Sequence, residues 1–244
     1  MNIYGLSEKG LVRKDNQDSI YYDKNTHQEY LAIVCDGIGG GNAGDVASHI
    51  ACNSLADAFL QKPATHNDKD TRKWITEVVK QANDDIFTQS TKSRNLKGMG
   101  TTVAGVFMNA RYTYIFHCGD SRVYALYNEL ISLTEDHNLA ADLMKAGDLK
   151  DRDVALHPKA TTLTNALGIW NNVRVEIHKI REDYQTLLIC SDGLHGFVSE
   201  QKICDILKSK DTIEKQTEEL RDASLLVGGF DNVSIILIKR GIKK

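Results

Sequence analysis

Two pairs of strand-like runs follow one another with no room for a helix between them. "SIYYD" (residues 19–23) turns at "KNTHQ" into "EYLAIVC" (29–35), and "TTVAGVFM" (101–108) turns at "NARY" into "YTYIFHC" (112–118). Such short connections join antiparallel neighbours, because a parallel crossover needs about a dozen residues or more. Hairpins and a largely antiparallel sheet are therefore expected. Further runs rich in β-branched and aromatic residues lie at 122–127, 186–191 and 232–240. Apolar residues at three- and four-residue spacing predict helices at 44–61, 72–90, 135–146, 199–208 and 212–227. The helices come in pairs between blocks of strands, as expected for sheets inside helical layers, so the predicted class is α+β.

The chain has 244 residues, two prolines and no repeat of fixed period, which fits one domain spanning 1–244. Its 30 basic and 33 acidic residues leave a formal charge of only -3, so no electrostatic argument points to nucleic acid or an anionic membrane. The five cysteines are scattered and free of CxxC spacing, which argues against a disulfide framework or a zinc ribbon and fits a reducing cytosol. The N-terminal "MNIYGLSEKG" lacks a basic segment followed by an apolar one, and no apolar run reaches membrane-spanning length. A soluble, cytoplasmic protein is expected.

Chemistry enters through aspartates. Asp36 follows "LAIVC", Asp192 follows "LLICS", and Asp120 follows "YIFHC" after one glycine, so three carboxylates stand just past the ends of apolar strands. Asp18 and Asp231 stand just before the strands "SIYYD" and "NVSIILI". In an antiparallel pair the start of one strand lies beside the end of its neighbour, so the first hairpin should place Asp18 next to Asp36. If the other strands pair likewise, all five converge on one edge. Any one Asp-Gly pair is explained well enough by turn formation, but five arranged for one edge are not. Clustered carboxylates repel unless a cation neutralises them, and an all-oxygen donor set suits Mg²⁺ or Mn²⁺, with more than one ion expected.

The strings "RKDNQD" (13–18), "CDGIGG" (35–40), "GMGTTV" (98–103), "GDSR" (119–122), "LTEDHN" (133–138), "LTNALG" (163–168), "CSDGL" (190–194) and "GGFDNVS" (228–234) occur in an order that resembles PP2C-type metal-dependent protein serine/threonine phosphatases, most of all the compact bacterial members. The resemblance covers essentially the whole chain. It implies a central β-sandwich of two antiparallel sheets flanked by pairs of helices, with a metal centre at one end. By the same resemblance Asp36 bridges two core ions, the Gly37 carbonyl is a ligand, and Asp192 and Asp231 complete the protein ligands. Asp120, with Asp192, matches a weaker third-metal site, and Asp18 a carboxylate acting through metal-bound water. Arg13 matches the residue that grips the substrate phosphate, a task suited to a guanidinium's paired donors. Asn232 is expected to brace Asp231.

The implied activity is hydrolysis of phosphoserine and phosphothreonine on proteins by a metal-bound water or hydroxide, with Asp36, Asp192, Asp231 and Arg13 as the catalytic set. The implied partners are phosphorylated proteins, a cognate Ser/Thr kinase among them, and a monomer is expected. The alternative is a pseudophosphatase that binds phosphoproteins without turnover, whose sequence mark would be loss of metal aspartates. Ile38 occupies a position where many eukaryotic members carry a proposed general-acid histidine, which leaves that role unassigned. Asn165 stands where many relatives have arginine. Residues 142–162 correspond to a variable flap beside the cleft, expected to be a loop that contacts substrate or an ordinary surface loop.

Overall fold

Along the central strands, successive side chains enter different cores. In the strand β3 (Tyr30–Ile38), Leu31, Ile33 and Cys35 pack with residues of the helices α1 (Ala43–Leu60) and α2 (Asp68–Lys92). Ala32 and Val34, pointing the other way, pack with Ile189 and Ile236 of the opposite sheet. In the strand β11 (Val233–Lys239), Val233, Ile235 and Leu237 meet the helices α5 (Glu200–Leu207) and α6 (Ile213–Leu226), while Ile236 and Ile238 face the first sheet. Both faces of each sheet are thus covered, which is why these strands read as near-continuous apolar runs. The result is four layers, helices on two stacked sheets on helices.

This computed structural model describes residues 1–39, 43–64, 67–150, 153–154 and 157–240. The remaining elements are β1 (Asn2–Glu8), β2 (Asp18–Lys24), β4 (Gly100–Thr101), β5 (Val103–Met108), β6 (Thr113–Cys118), β7 (Arg122–Leu126), β8 (Leu130–Ser132), α3 (Leu139–Ala146), β9 (Glu176–Lys179), β10 (Thr186–Cys190) and the single turn α4 (Asp192–His195). One sheet has the order β1-β11-β10-β7-β8, the other β2-β3-β5-β6-β9 with β4 on β3, and every pairing is antiparallel. The expected α+β sandwich is the observed one.

Several elements depart from the periodicity. β1 is only partly buried and carries Gly5, whose absent side chain leaves room for Ile236 at 2.8 Å from where a Cβ would stand. β8 and β9 are short and half exposed, so neither carries an apolar stretch. α3 begins at Leu139 rather than 135, because the extended Asn138 accepts the Ala141 N–H at 2.9 Å and caps the helix there. Asp136 lies outside the helix and holds Arg122 through two bonds of 2.7 and 2.8 Å. All five cysteines are buried and free. Among the described residues, no helix is long and apolar enough to cross a membrane.

Candidate active site

The β2–β3 register sets Asp18 directly opposite Asp36. Backbone bonds fix the end of β3: the Asp36 N–H donates to Thr102 Oγ1 at 3.0 Å, and the Asp36 carbonyl accepts from the Thr102 N–H and the Thr101 hydroxyl, both at 2.8 Å. Thr102 Oγ1 in turn lies 2.7 Å from Ser121 Oγ, which ties the Asp36 strand to the turn carrying Asp120. Ser191 crosses between the sheets, donating from Oγ to Asp18 Oδ2 at 2.8 Å. In the second sheet Cys190 stands opposite both Ile235 and Arg122, so Asp192 emerges between the starts of β11 and β7, beside Asp231 and Asp120.

Two glycines let the backbones close up. A Cβ on Gly37 would lie 2.2 Å from the Gly44 carbonyl and 2.5 Å from that of Gln17, and one on Gly193 would lie 1.9 Å from the Asn232 carbonyl. Close approach, rather than an unusual dihedral, excludes a side chain at both. Residues 40–42, which complete the glycine-rich turn after Asp36, lie outside the described residues.

Asp231 is held at both oxygens. Arg13 Nη2 donates to Oδ2 at 2.7 Å, and the backbone N–H of Asn232 donates to Oδ1 at 2.8 Å. The Asn232 side chain turns elsewhere: its amide donates to the Lys9 and Asp15 carbonyls and accepts the Gln17 N–H at 2.9 Å. It therefore pins the loop that presents Arg13, and reaches Asp231 only through the main chain. Behind Asp120, the Gly119 N–H donates to His137 Nδ1 at 3.1 Å, and His195 Nε2 donates to the Asp120 carbonyl at 2.9 Å.

The electrostatics follow from this crowding. Burial, with the neighbouring carboxylates Asp192 and Asp231 adding to it, pushes Asp18 up to about 7 against the lowering effect of the Ser234 and Ser191 hydroxyls. Burial and then Asp192 carry Asp120 to about 7 as well. Asp36 is raised well above the usual carboxylate range by burial, then by Asp18, Asp192 and Asp120, and Asp192 is raised by burial and then by Asp231. Asp18 Oδ1 is buried with no hydrogen-bond partner. A buried, under-satisfied, all-oxygen donor set in which carboxylates lift one another is what a hard divalent cation would relieve, so these residues fit such an ion. The nearby His195 has its Nε2 committed to the Asp120 carbonyl.

A second cluster, His117, His137 and Glu176, brings ligand-type atoms within 4.8 Å of one another. Hydrogen bonding assigns it another role. His137 Nδ1 faces two donors, the Gly119 N–H and the Asn165 amide at 2.9 Å, so the ring proton sits on Nε2, which points at Glu176 Oε1 3.3 Å away. In that tautomer Nε2 carries a proton, and it and His117 Nδ1 are both buried without a hydrogen bond. The ring stacks on His117 at 4.5 Å, and burial holds its pKa down at about 4. Asn165 completes the staple by donating to the Arg174 carbonyl at 2.8 Å.

Five aspartates drawn from both sheets thus stand at one edge, with an arginine bonded to one of them. Residues 12–225 match the family model described as "Protein phosphatase 2C". The chain belongs to this family. It is 34% identical over 238 residues to the serine/threonine phosphatase stp of Listeria monocytogenes serotype 4b, covering 97% of this chain and 94% of that one. The S. agalactiae serine/threonine phosphatase structure superposes with a TM-score of 0.93 at 29% identity, over 98% of this chain and 99% of that one. Serine/threonine phosphatase Stp1 from Staphylococcus aureus gives 0.92 at 26% identity, over 98% and 94%.

Within this PP2C frame, three site neighbours escape sequence reasoning. His195 and Ser191 flank Asp192 in "CSDGLH", where the aspartate draws attention and its neighbours do not. Asn165 reads only as a departure from arginine, although three of its bonds reach His137 and both backbone groups of Arg174.

Proposed function

We propose that this chain hydrolyses phosphoserine and phosphothreonine monoesters on proteins in a metal-dependent reaction. The observation that carries the reading is the gathering of Asp18, Asp36, Asp120, Asp192 and Asp231 at one edge with Arg13 bonded to Asp231. Asp36, Asp192, Asp231 and the Gly37 carbonyl would hold two core ions, Mn²⁺ or Mg²⁺, with Asp120 and Asp192 as a third, weaker site and Asp18 acting alongside. Ions bound there would polarise the phosphoryl oxygens and acidify a water enough to make it a nucleophile at neutral pH.

The chain's own residues do the rest. Arg13, more than half exposed and bonded to Asp231 through one nitrogen, moves from Asp231 to the phosphate oxygens when substrate arrives. Asn232 keeps the Arg13 loop in place throughout. Thr101, Thr102 and Ser191 hold the carboxylate-bearing strand ends still, so that ligand positions are set before substrate arrives. All five thiols are buried, which leaves no cysteine placed for a covalent phospho-enzyme. The chain acts as one catalytic domain and a cytoplasmic monomer. Residues 142–162 form the flap at its edge, of which 151–152 and 155–156 lie outside the described residues. Its opponents are a Ser/Thr kinase and that kinase's substrates.

Hydrolysis of a phosphothreonine peptide and of para-nitrophenyl phosphate, with Mn²⁺, Mg²⁺ or EDTA, tests this in the wild type, Asp36→Asn and Asp192→Asn. Activity in EDTA, or activity untouched by both substitutions, would refute the mechanism. Phosphopeptide binding without turnover under either metal would instead mark a pseudophosphatase.

A further inference from the structure

Among the described residues, six of the eleven large apolar side chains left exposed belong to one surface: Leu11, Val12, Phe197, Leu226, Val227 and Phe230. Their contiguity is built in. The Leu11 and Val12 N–H groups both donate to the Gly229 carbonyl, at 2.8 and 3.2 Å. Leu11 Cγ lies 2.8 Å from where a Cβ on Gly229 would stand, and the Phe230 ring lies 2.3 Å from that point on Gly228. Phe230 and Phe197 face each other at 5.7 Å between ring centroids. Beyond Phe197 the surface dips into a cavity of about 550 Å³ that Leu226 and Val227 also line. Both glycines sit at positive φ, +130° and +54°, a conformation that keeps the loop in this form.

The position of this surface says what covers it. Val12 is the residue before Arg13 and Phe230 the residue before Asp231, and Arg13 and Asp231 are bonded at 2.7 Å. The apolar surface is therefore continuous with the place where a phosphate would dock, and a polypeptide presenting its phosphate there lays its neighbouring residues on or beside it. The geometry points to a substrate-selecting surface: it takes apolar side chains that flank the phosphorylated residue of a phosphoprotein. This rests on the reading of the chain as a protein phosphatase. Leu226 is 86% exposed, so most of its side chain stands in water with no protein neighbour to cover it.

Two phosphothreonine peptides of equal length test it, one with Leu and Phe within three residues on each side of the phosphoresidue and one with Ser at those positions. The full chain with Mn²⁺ is compared with Phe197→Ser/Leu226→Ser, and with Ile131→Ser, exposed on β8, as a control. The wild type and the control should favour the apolar peptide in kcat/KM by about tenfold, the effect of burying one or two such side chains. The double variant should lose that preference through KM while turning over para-nitrophenyl phosphate, too small to reach the surface, at the wild-type rate. Equal use of both peptides by the wild type, or a preference that survives in the double variant, overturns the proposal. So does a wild-type dimer that the double variant dissolves with no change in peptide preference, which would give the surface to a second copy of the chain. Silence of the wild type toward every substrate, para-nitrophenyl phosphate included, removes the phosphatase reading and this proposal with it.

Discussion

Replacing Asp18 by asparagine should stabilise the chelated protein and make it respond less to metal. Asp18 is buried opposite Asp36, with one oxygen bonded by Ser191 and the other bonded by nothing. Its carboxyl is carried from an ordinary 3.8 to about 7. A carboxyl raised on folding opposes the folded state once the unfolded chain ionises, so stability falls as pH rises from about 4 to about 7 and the full cost is present above that. At about 1.4 kcal/mol per pH unit, the cost reaches about 4 kcal/mol at pH 8 and less than half of that at pH 5. These are ceilings, since Asp18 shares its repulsion with Asp192 and Asp231. Asparagine keeps an acceptor for Ser191 and offers an N–H toward Asp36. At about 2–4 °C per kcal/mol, Asp18→Asn in EDTA should melt roughly 10 °C above the wild type at pH 8 and roughly 4 °C above it at pH 5. Saturating Mn²⁺ should raise the wild type more than the variant. A variant that melts below the wild type in EDTA at pH 8, or that differs equally at both pH values, would refute the burial of a charged, crowded carboxylate from which the metal reading draws support.

Asp36→Asn and Asp192→Asn should each lower kcat/KM on a phosphothreonine peptide by about a hundredfold or more, measured as phosphate release, with melting in EDTA unchanged or improved. Arg13→Ala should raise KM for the same peptide about tenfold, and Arg13→Lys should recover little of it, because a point charge does not reproduce the fork. Lys62 and Glu29 form a buried ion pair at 2.9 Å beneath Trp74 and Phe107, so Lys62→Met alone should cost about 3–5 kcal/mol in urea unfolding. Adding Glu29→Gln should restore most of that loss. Gly37→Ala should lower stability by about 1–3 kcal/mol in the same assay, since its methyl would fall within 2.2 Å of the Gly44 carbonyl.

Which parts could be read in advance depended on how far apart in sequence the partners lie. Asp18 and Asp36 are joined by a hairpin, and antiparallel pairing alone puts them side by side. The other carboxylates needed the same rule applied to strands that are not hairpin partners, and the short apolar runs ending at Cys118 and Cys190 were strong enough to carry it. β1 carried no such signal: its apolar residues Ile3, Tyr4 and Leu6 are interrupted by Gly5, and it is defined only by a strand far along the chain. The Arg13–Asp231 bond, spanning 218 residues, is invisible for the same reason. Side-chain direction was the other blind spot. Asn232 is adjacent to Asp231, so bracing it was the natural expectation, but its amide faces the loop of Lys9, Asp15 and Gln17 instead.

The pairing of β1 with β11 also bears on when the protein can act. Ser7 and Ser234 are bonded across 227 residues of chain, and β1 has no strand neighbour other than β11 among the described residues. During synthesis β1 waits, unpaired, until β11 has left the ribosome, a costly and slow closure because the contact is so distant. Arg13 and Asp231 flank that closing seam. A chain not yet extended through β11 would hold Asp18, Asp36 and Asp120 yet lack the seam, so on the proposed reading it could not remove phosphate from its neighbours.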